Sequence, residues 1–144
     1  MITLSGTIRL SEIGARRTAG HFSELIAQNR LVFRKYFGVE LFAGSLNIDV
    51  PTPPALQYEL DAGVYRPAFV IPRGELSGMP SYIGDGQAWQ ATLITQKVSQ
   101  PISCWVFRRI GSKVPQGVIE VLAREQLTTT FGFVHGDRIE LNLF

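Results

Sequence analysis

The sequence predicts a mainly β fold, a small closed barrel carrying one main α-helix. Two observations carry this expectation. From Gln87 to Phe144, short apolar runs alternate with turns rich in Gly, Pro and Asp, the pattern of closely spaced antiparallel strands rather than of strands separated by helices. Only one stretch, from about Phe22 to Phe37, repeats its apolar residues with a helical period. At 144 residues the chain reads as one domain, 1–144, long enough to bury a core without disulfides.

Residues 2–10 alternate as a strand. Ser11 to Gly20 reads as a loop with two glycines and two arginines. In the helix, Phe22, Leu25, Ile26, Val32, Phe33, Tyr36 and Phe37 share one face, and Gly38 suits a left-handed C-terminal cap. Leu46 to Val50 is a short strand, ended by Pro51-Thr52-Pro53-Pro54. Residues 51–86 form a Pro/Gly-rich insertion, read as one strand within Tyr65 to Ile71 and then a long exposed loop. Trp89 to Val98 and Ile102 to Ile110 follow as strands joined through Val98-Ser99-Gln100-Pro101. Gly111 to Gly117 is a turn, Val118 to Leu122 a strand, Arg124 to Thr128 a helical turn and Phe131 to Val134 an extended piece. His135-Gly136-Asp137 is a tight turn into the last strand, Arg138 to Phe144.

Composition narrows the function. Fourteen basic and twelve acidic residues leave a net charge of +2, with no basic stripe of the kind that grips a nucleic-acid backbone. The single Cys104 excludes an internal disulfide and a Cys-based zinc cage, and its apolar surroundings fit a buried thiol. The N-terminus has no basic region and no long apolar run, so we expect no signal peptide, no membrane span and a cytoplasmic location. No Walker loop, nucleophile elbow or zinc motif is present. His21 and His135 lack a second ligand at metal-binding spacing, Trp89 and Trp105 read as core or rim, and Asp85 reads as a turn residue.

Two stretches place small oxygen-bearing or acidic side chains beside tight turns. One is Gly44-Ser45-Leu46-Asn47 and the other is Val118-Ile119-Glu120-Val121-Leu122-Ala123, closed by Gly136-Asp137. Together with Tyr36-Phe37-Gly38 before the first, they resemble the archaeal CTP-dependent riboflavin kinase family. The likeness covers most of the chain outside residues 51–86. It implies a six-stranded cradle-loop barrel, and a phosphotransferase that moves a phosphoryl group from a nucleoside triphosphate, CTP in that family, to riboflavin with Mg²⁺. By that resemblance Ser45 and Asn47 hold the metal, through a hydroxyl and an amide oxygen of the hard type Mg²⁺ prefers. Glu120 maps to the flavin-contacting glutamate, with a role in catalysis, and Ser112 to a nearby hydroxyl residue. The nucleotide would lie along Gly14, Arg16, Arg17, Gly20, Leu127 and Thr128.

The chain departs from the family pattern in two places. The compact glycine run of the nucleotide loop is replaced by Ser11 to Gly20, where Arg16 and Arg17 can stand in for backbone donors. The family's Leu-Arg becomes Leu127-Thr128.

Structural roles stand beside each assignment. Ser45 and Asn47 can satisfy a turn, and Arg16 and Arg17 can be a solvated loop. Glu120 shares its parity with Val118 and Leu122, so it points either outward to solvent or inward, where it needs a partner. Two further functions stay open at this level. One is a non-catalytic barrel that binds a flavin, a nucleotide or another small molecule after losing the glycine loop. The other is an interaction module that docks or forms a homo-oligomer through residues 51–86.

Overall fold

A computed structural model describes residues 2–10, 20–51, 65–79, 81–111 and 117–144. Strand β1 spans Ile2–Arg9 and helices α1 and α2 span Gly20–Gln28 and Arg30–Phe37. Strands β2 (Leu46–Asp49) and β3 (Phe69–Ile71) precede a 3₁₀ turn at Arg73–Glu75. Then come β4 (Gly86–Thr95), β5 (Val98–Arg109), β6 (Val118–Leu122), helix α3 (Leu127–Phe131) and β7 (Arg138–Leu143).

Six strands close into an antiparallel barrel in the order β4-β5-β6-β2-β1-β7, with β7 pairing back onto β4. The expected closed barrel is therefore present, with β3 as one extra strand. The long β4 explains both features. Along one edge its first residues, Gly86 to Ala88, pair with β3, and its later residues, Ala91 to Ile94, pair with β7.

Strand alternation sorts the apolar side chains into two cores. Leu4, Ile8, Leu46, Ile48, Trp89, Leu93, Ile102, Val106, Ile119, Val121, Leu141 and Leu143 fill the barrel. Ala88, Phe107 and Leu122, of opposite parity, face outward and pack with Leu25, Ile26, Phe33 and Phe37 of the helices. Both faces of β6 are thus covered, and all five of its residues are buried. Gly6 sits where β1 passes from β7 to β2, and a Cβ there would lie 2.5 Å from the Asp49 carbonyl oxygen.

The single expected helix is two helices. They break at Asn29, whose side chain donates to the Leu25 and Ser77 carbonyls and accepts from the Ser77 N–H and hydroxyl. A residue 48 positions away in sequence therefore sets the break, joining the insertion to the helix pair. Gly38 ends α2 as expected, at φ +75° with its N–H on the Arg34 carbonyl.

The insertion contributes β3, within the expected Tyr65 to Ile71, while residues 52–64 and 80 lie outside the described residues. Its 3₁₀ turn is anchored too, since Glu75 pairs with Lys35 at 3.1 Å and accepts from the Tyr36 hydroxyl. Three boundaries differ from expectation. Val98 to Pro101 belongs to β5, and the connection is the two residues Gln96-Lys97. The β4–β5 register shifts between Leu93↔Ile102 and Thr95↔Val98, so Pro101 sits at a bulge, where a missing N–H is tolerated. The helical turn expected at Arg124 to Thr128 lies later, at Leu127–Phe131. This puts Phe131 in a helix that Gly132 ends at φ +69°.

Candidate functional site

On the outer wall of the barrel, β1, β2 and β6 lie side by side. Arg9 is the Cα partner of Asn47, and Asn47 is the Cα partner of Glu120. The three residues form one cross-strand row, and partners in such a row bring their side chains within contact range. The neighbouring row is Arg138, Thr7, Asp49 and Val118. Arg9 leans onto it, its Nη1 lying 3.3 Å from Asp49 Oδ1.

Glu120 resolves the two orientations left open by its sequence. It points outward, in parity with Leu122, yet it is only 3% exposed. Its Oε1 accepts no hydrogen bond among the described residues. A carboxylate withdrawn from water resists ionisation, and burial pushes Glu120 up to about 7 against the pull of Arg109 and Arg108. Arg109 is buried as well, with Nη1 3.9 Å from Met79 Sδ. Burial lowers its pKa, while Glu120 and Tyr82 act in the opposite direction.

Asn47 is 4% exposed. Ser45, two residues earlier, leaves a tightly held loop. The Phe42 N–H donates to the Ala123 carbonyl just after β6, and the Gly44 N–H donates back to the Phe42 carbonyl at 2.9 Å. The Ser23 hydroxyl of α1 donates to the Ala43 carbonyl at 2.8 Å. A Cβ at position 44 would stand 2.9 Å from the Phe42 ring, so a larger residue there requires that exposed side chain to shift. The Ser45 Oγ is buried and makes no hydrogen bond among the described residues, an unsatisfied state that native proteins seldom leave without a purpose.

The β2–β6 register thus brings together the outward-facing Asn47 and Glu120, far apart in sequence, with Ser45 two residues before Asn47. A hydroxyl, an amide oxygen and a carboxylate are hard oxygen donors of the kind that a small hard cation takes. Among the described residues no group of three or more His, Cys, Asp or Glu could hold a metal ion. A cation on this wall would therefore rest largely on neutral oxygens and on the phosphates of a substrate, the habit of Mg²⁺.

Gly14, Arg16, Arg17 and Ser112 lie outside the described residues. Gly20 opens α1. Leu127 is buried in the barrel core, and Thr128 is half-buried in the first turn of α3. Cys104 is buried, and desolvation pushes its thiol up to about 12, which keeps it from reacting as a thiolate.

An open groove of about 1280 Å³ runs beside the row, lined by Ser5, Thr7, Asp49, Lys97, Arg138 and Glu140 among others. It meets the candidate site at Asp49, the acceptor of Arg9, and does not include Ser45, Asn47 or Glu120. The chemistry of the site rests on the row, and the groove supplies open space next to it. Sequence reasoning missed Arg9, because only the β1–β2 register sets it beside Asn47.

The chain matches no family model and no curated protein. No helix among the described residues is long and apolar enough to cross a membrane.

Proposed function

We propose that this protein is a riboflavin kinase-like phosphotransferase, moving the γ-phosphoryl group of a nucleoside triphosphate to riboflavin. The observation that carries the reading is the buried pairing of Asn47 with Glu120, with the buried Ser45 hydroxyl two residues before Asn47. These are the residues that the riboflavin kinase resemblance singles out for metal and flavin.

Ser45 and Asn47 would hold Mg²⁺, which when bound neutralises charge across the β- and γ-phosphates. Glu120 would orient the riboflavin hydroxyl. As that oxygen bonds to the γ-phosphorus, the bond to the β-phosphate oxygen breaks, nucleoside diphosphate leaves, and Glu120 takes the hydroxyl proton. A carboxylate whose pKa burial has moved to about 7 suits this task near neutral pH. CTP is the donor that the resemblance implies. The groove beside Asp49 offers room for the body of a bound substrate. Phosphoryl transfer depends mainly on positioning and electrostatics, so a rebuilt nucleotide loop is compatible with turnover.

A second reading is favoured by one observation. Leu127 is committed to the barrel core, and Thr128 stands where the family has Arg. A cradle with weakened donor binding would hold a flavin, a nucleotide or another small molecule without turnover. Incubation with riboflavin, Mg²⁺ and each of the four nucleoside triphosphates separates the two. FMN formation supports the kinase reading, and flavin binding without FMN supports the second.

A further inference from the structure

We infer that Arg9 grips the phosphates of the donor nucleotide and that the His135-Gly136-Asp137 turn holds Arg9 in place for this task. The inference rests on the phosphotransfer reading and adds a residue that the resemblance does not supply.

The register places Arg9 and Glu120 on opposite sides of Asn47 in one row. Adjacent strands are about 4.8 Å apart, so a phosphate held at Asn47 falls within reach of a side chain as long as arginine. The Arg9 guanidinium makes one ion pair among the described residues, the 3.3 Å approach of Nη1 to Asp49 Oδ1. Both side chains are partly exposed, at 30% and 42%. A guanidinium presents five N–H donors in a planar fork. One contact at this length therefore orients the group while leaving donors for a phosphate. A half-exposed ion pair contributes little, so exchanging part of it for a phosphate oxygen is inexpensive.

The backbone on both sides of Arg9 is pinned by one turn. The Ile8 N–H donates to the Asp137 carbonyl at 2.9 Å, and the Gly136 N–H donates to the Ile8 carbonyl at 2.8 Å. The Leu10 N–H donates to His135 Nδ1 at 2.9 Å. The turn is itself rigid. Gly136 adopts φ +89°, and the Asp137 carboxylate accepts from the Val134 N–H and pairs with Lys97 at 2.7 Å. The ladder between β1 and β7 ends at Thr7↔Arg138, yet the turn carries the restraint on through Leu10. Rigid support of this kind is what a phosphate clamp requires. Two other cations near the row are engaged elsewhere, while Arg138 of the neighbouring row lines the groove. Lys97 is held by Asp137 and the Gly132 carbonyl, and Arg109 is buried against Met79 and beside Glu120.

The test is a calorimetric titration of Mg-CTP, Mg-ATP and Mg-tripolyphosphate into the wild type, Arg9→Ala and Arg9→Lys, with riboflavin binding measured on the same samples. Arg9→Ala should weaken all three polyphosphates by roughly ten- to a hundredfold, the range for a lost charged hydrogen bond. Arg9→Lys should fall between, and riboflavin affinity should not change. His135→Ala should raise the donor KM and leave the riboflavin KM alone. Equal polyphosphate binding by Arg9→Ala and the wild type overturns the inference, as does a wild type that binds none of the three. FMN formation with an unchanged donor KM in Arg9→Ala removes the clamp and leaves the kinase reading intact. Arg9-dependent polyphosphate binding without FMN keeps the clamp and removes the kinase.

Discussion

Asn47 on β2 and Glu120 on β6 are register partners across two antiparallel strands, and both are almost wholly buried on the outer wall of the barrel. An outward-facing amide and carboxylate would ordinarily be solvated. Here the wall is covered, and the proximity becomes chemistry, because burial changes which form of Glu120 is stable.

Glu120 should make stability fall as pH rises. Its ordinary value is 4.5 and its folded value is about 7. Below 4.5 both folded and unfolded states carry the proton. Between 4.5 and 7 the unfolded chain releases it while the folded chain keeps it, so stability declines through that window and then levels off. Glu120→Gln removes the penalty. In metal-free buffer the variant should gain on the order of 3 kcal/mol over the wild type at pH 8 and little at pH 4, read by urea denaturation at both pH values.

Ser45→Ala separates a metal ligand from a turn residue. The Ser45 hydroxyl is buried without a hydrogen bond among the described residues, so its removal should leave the melting temperature equal or raise it slightly. The same change should weaken Mg²⁺-dependent turnover at least about tenfold. A large fall in melting temperature would assign Ser45 to the fold instead.

Asn29→Ala should cost about 2 kcal/mol or more, because the Ser77 N–H would lose its acceptor and the helix break its ties. Thermal unfolding measures the loss, and faster amide exchange at Ser77 would locate it.

Gly6→Ala should destabilise by about 1–3 kcal/mol, since its Cβ would meet the Asp49 carbonyl at 2.5 Å and the Ile48 side chain at 2.8 Å. Chemical denaturation of the variant gives the value directly.

The parts of the fold that were legible in the sequence are those decided locally. β1 alternates, and the Gly38 cap needs only glycine's access to positive φ. What stayed hidden was decided at a distance. The Asn29 break depends on Ser77, and β5 runs back through Pro101 because a bulge absorbs it. Glu120 follows alternation but is not solvated, because all of β6 is buried, which removes the two-residue burial signal. Ser45, Asn47 and Glu120 were visible as motif residues, but Arg9 was not. Its value lies in the strand register, which no local pattern encodes.

The most direct measurement is FMN formation from riboflavin, Mg²⁺ and CTP, ATP, GTP or UTP, followed by separating flavin from FMN, with Asn47→Ala alongside. The account predicts Mg²⁺-dependent FMN with at least one donor, lost in Asn47→Ala while its circular dichroism matches the wild type. No FMN with any donor, or undiminished FMN in Asn47→Ala, would contradict it.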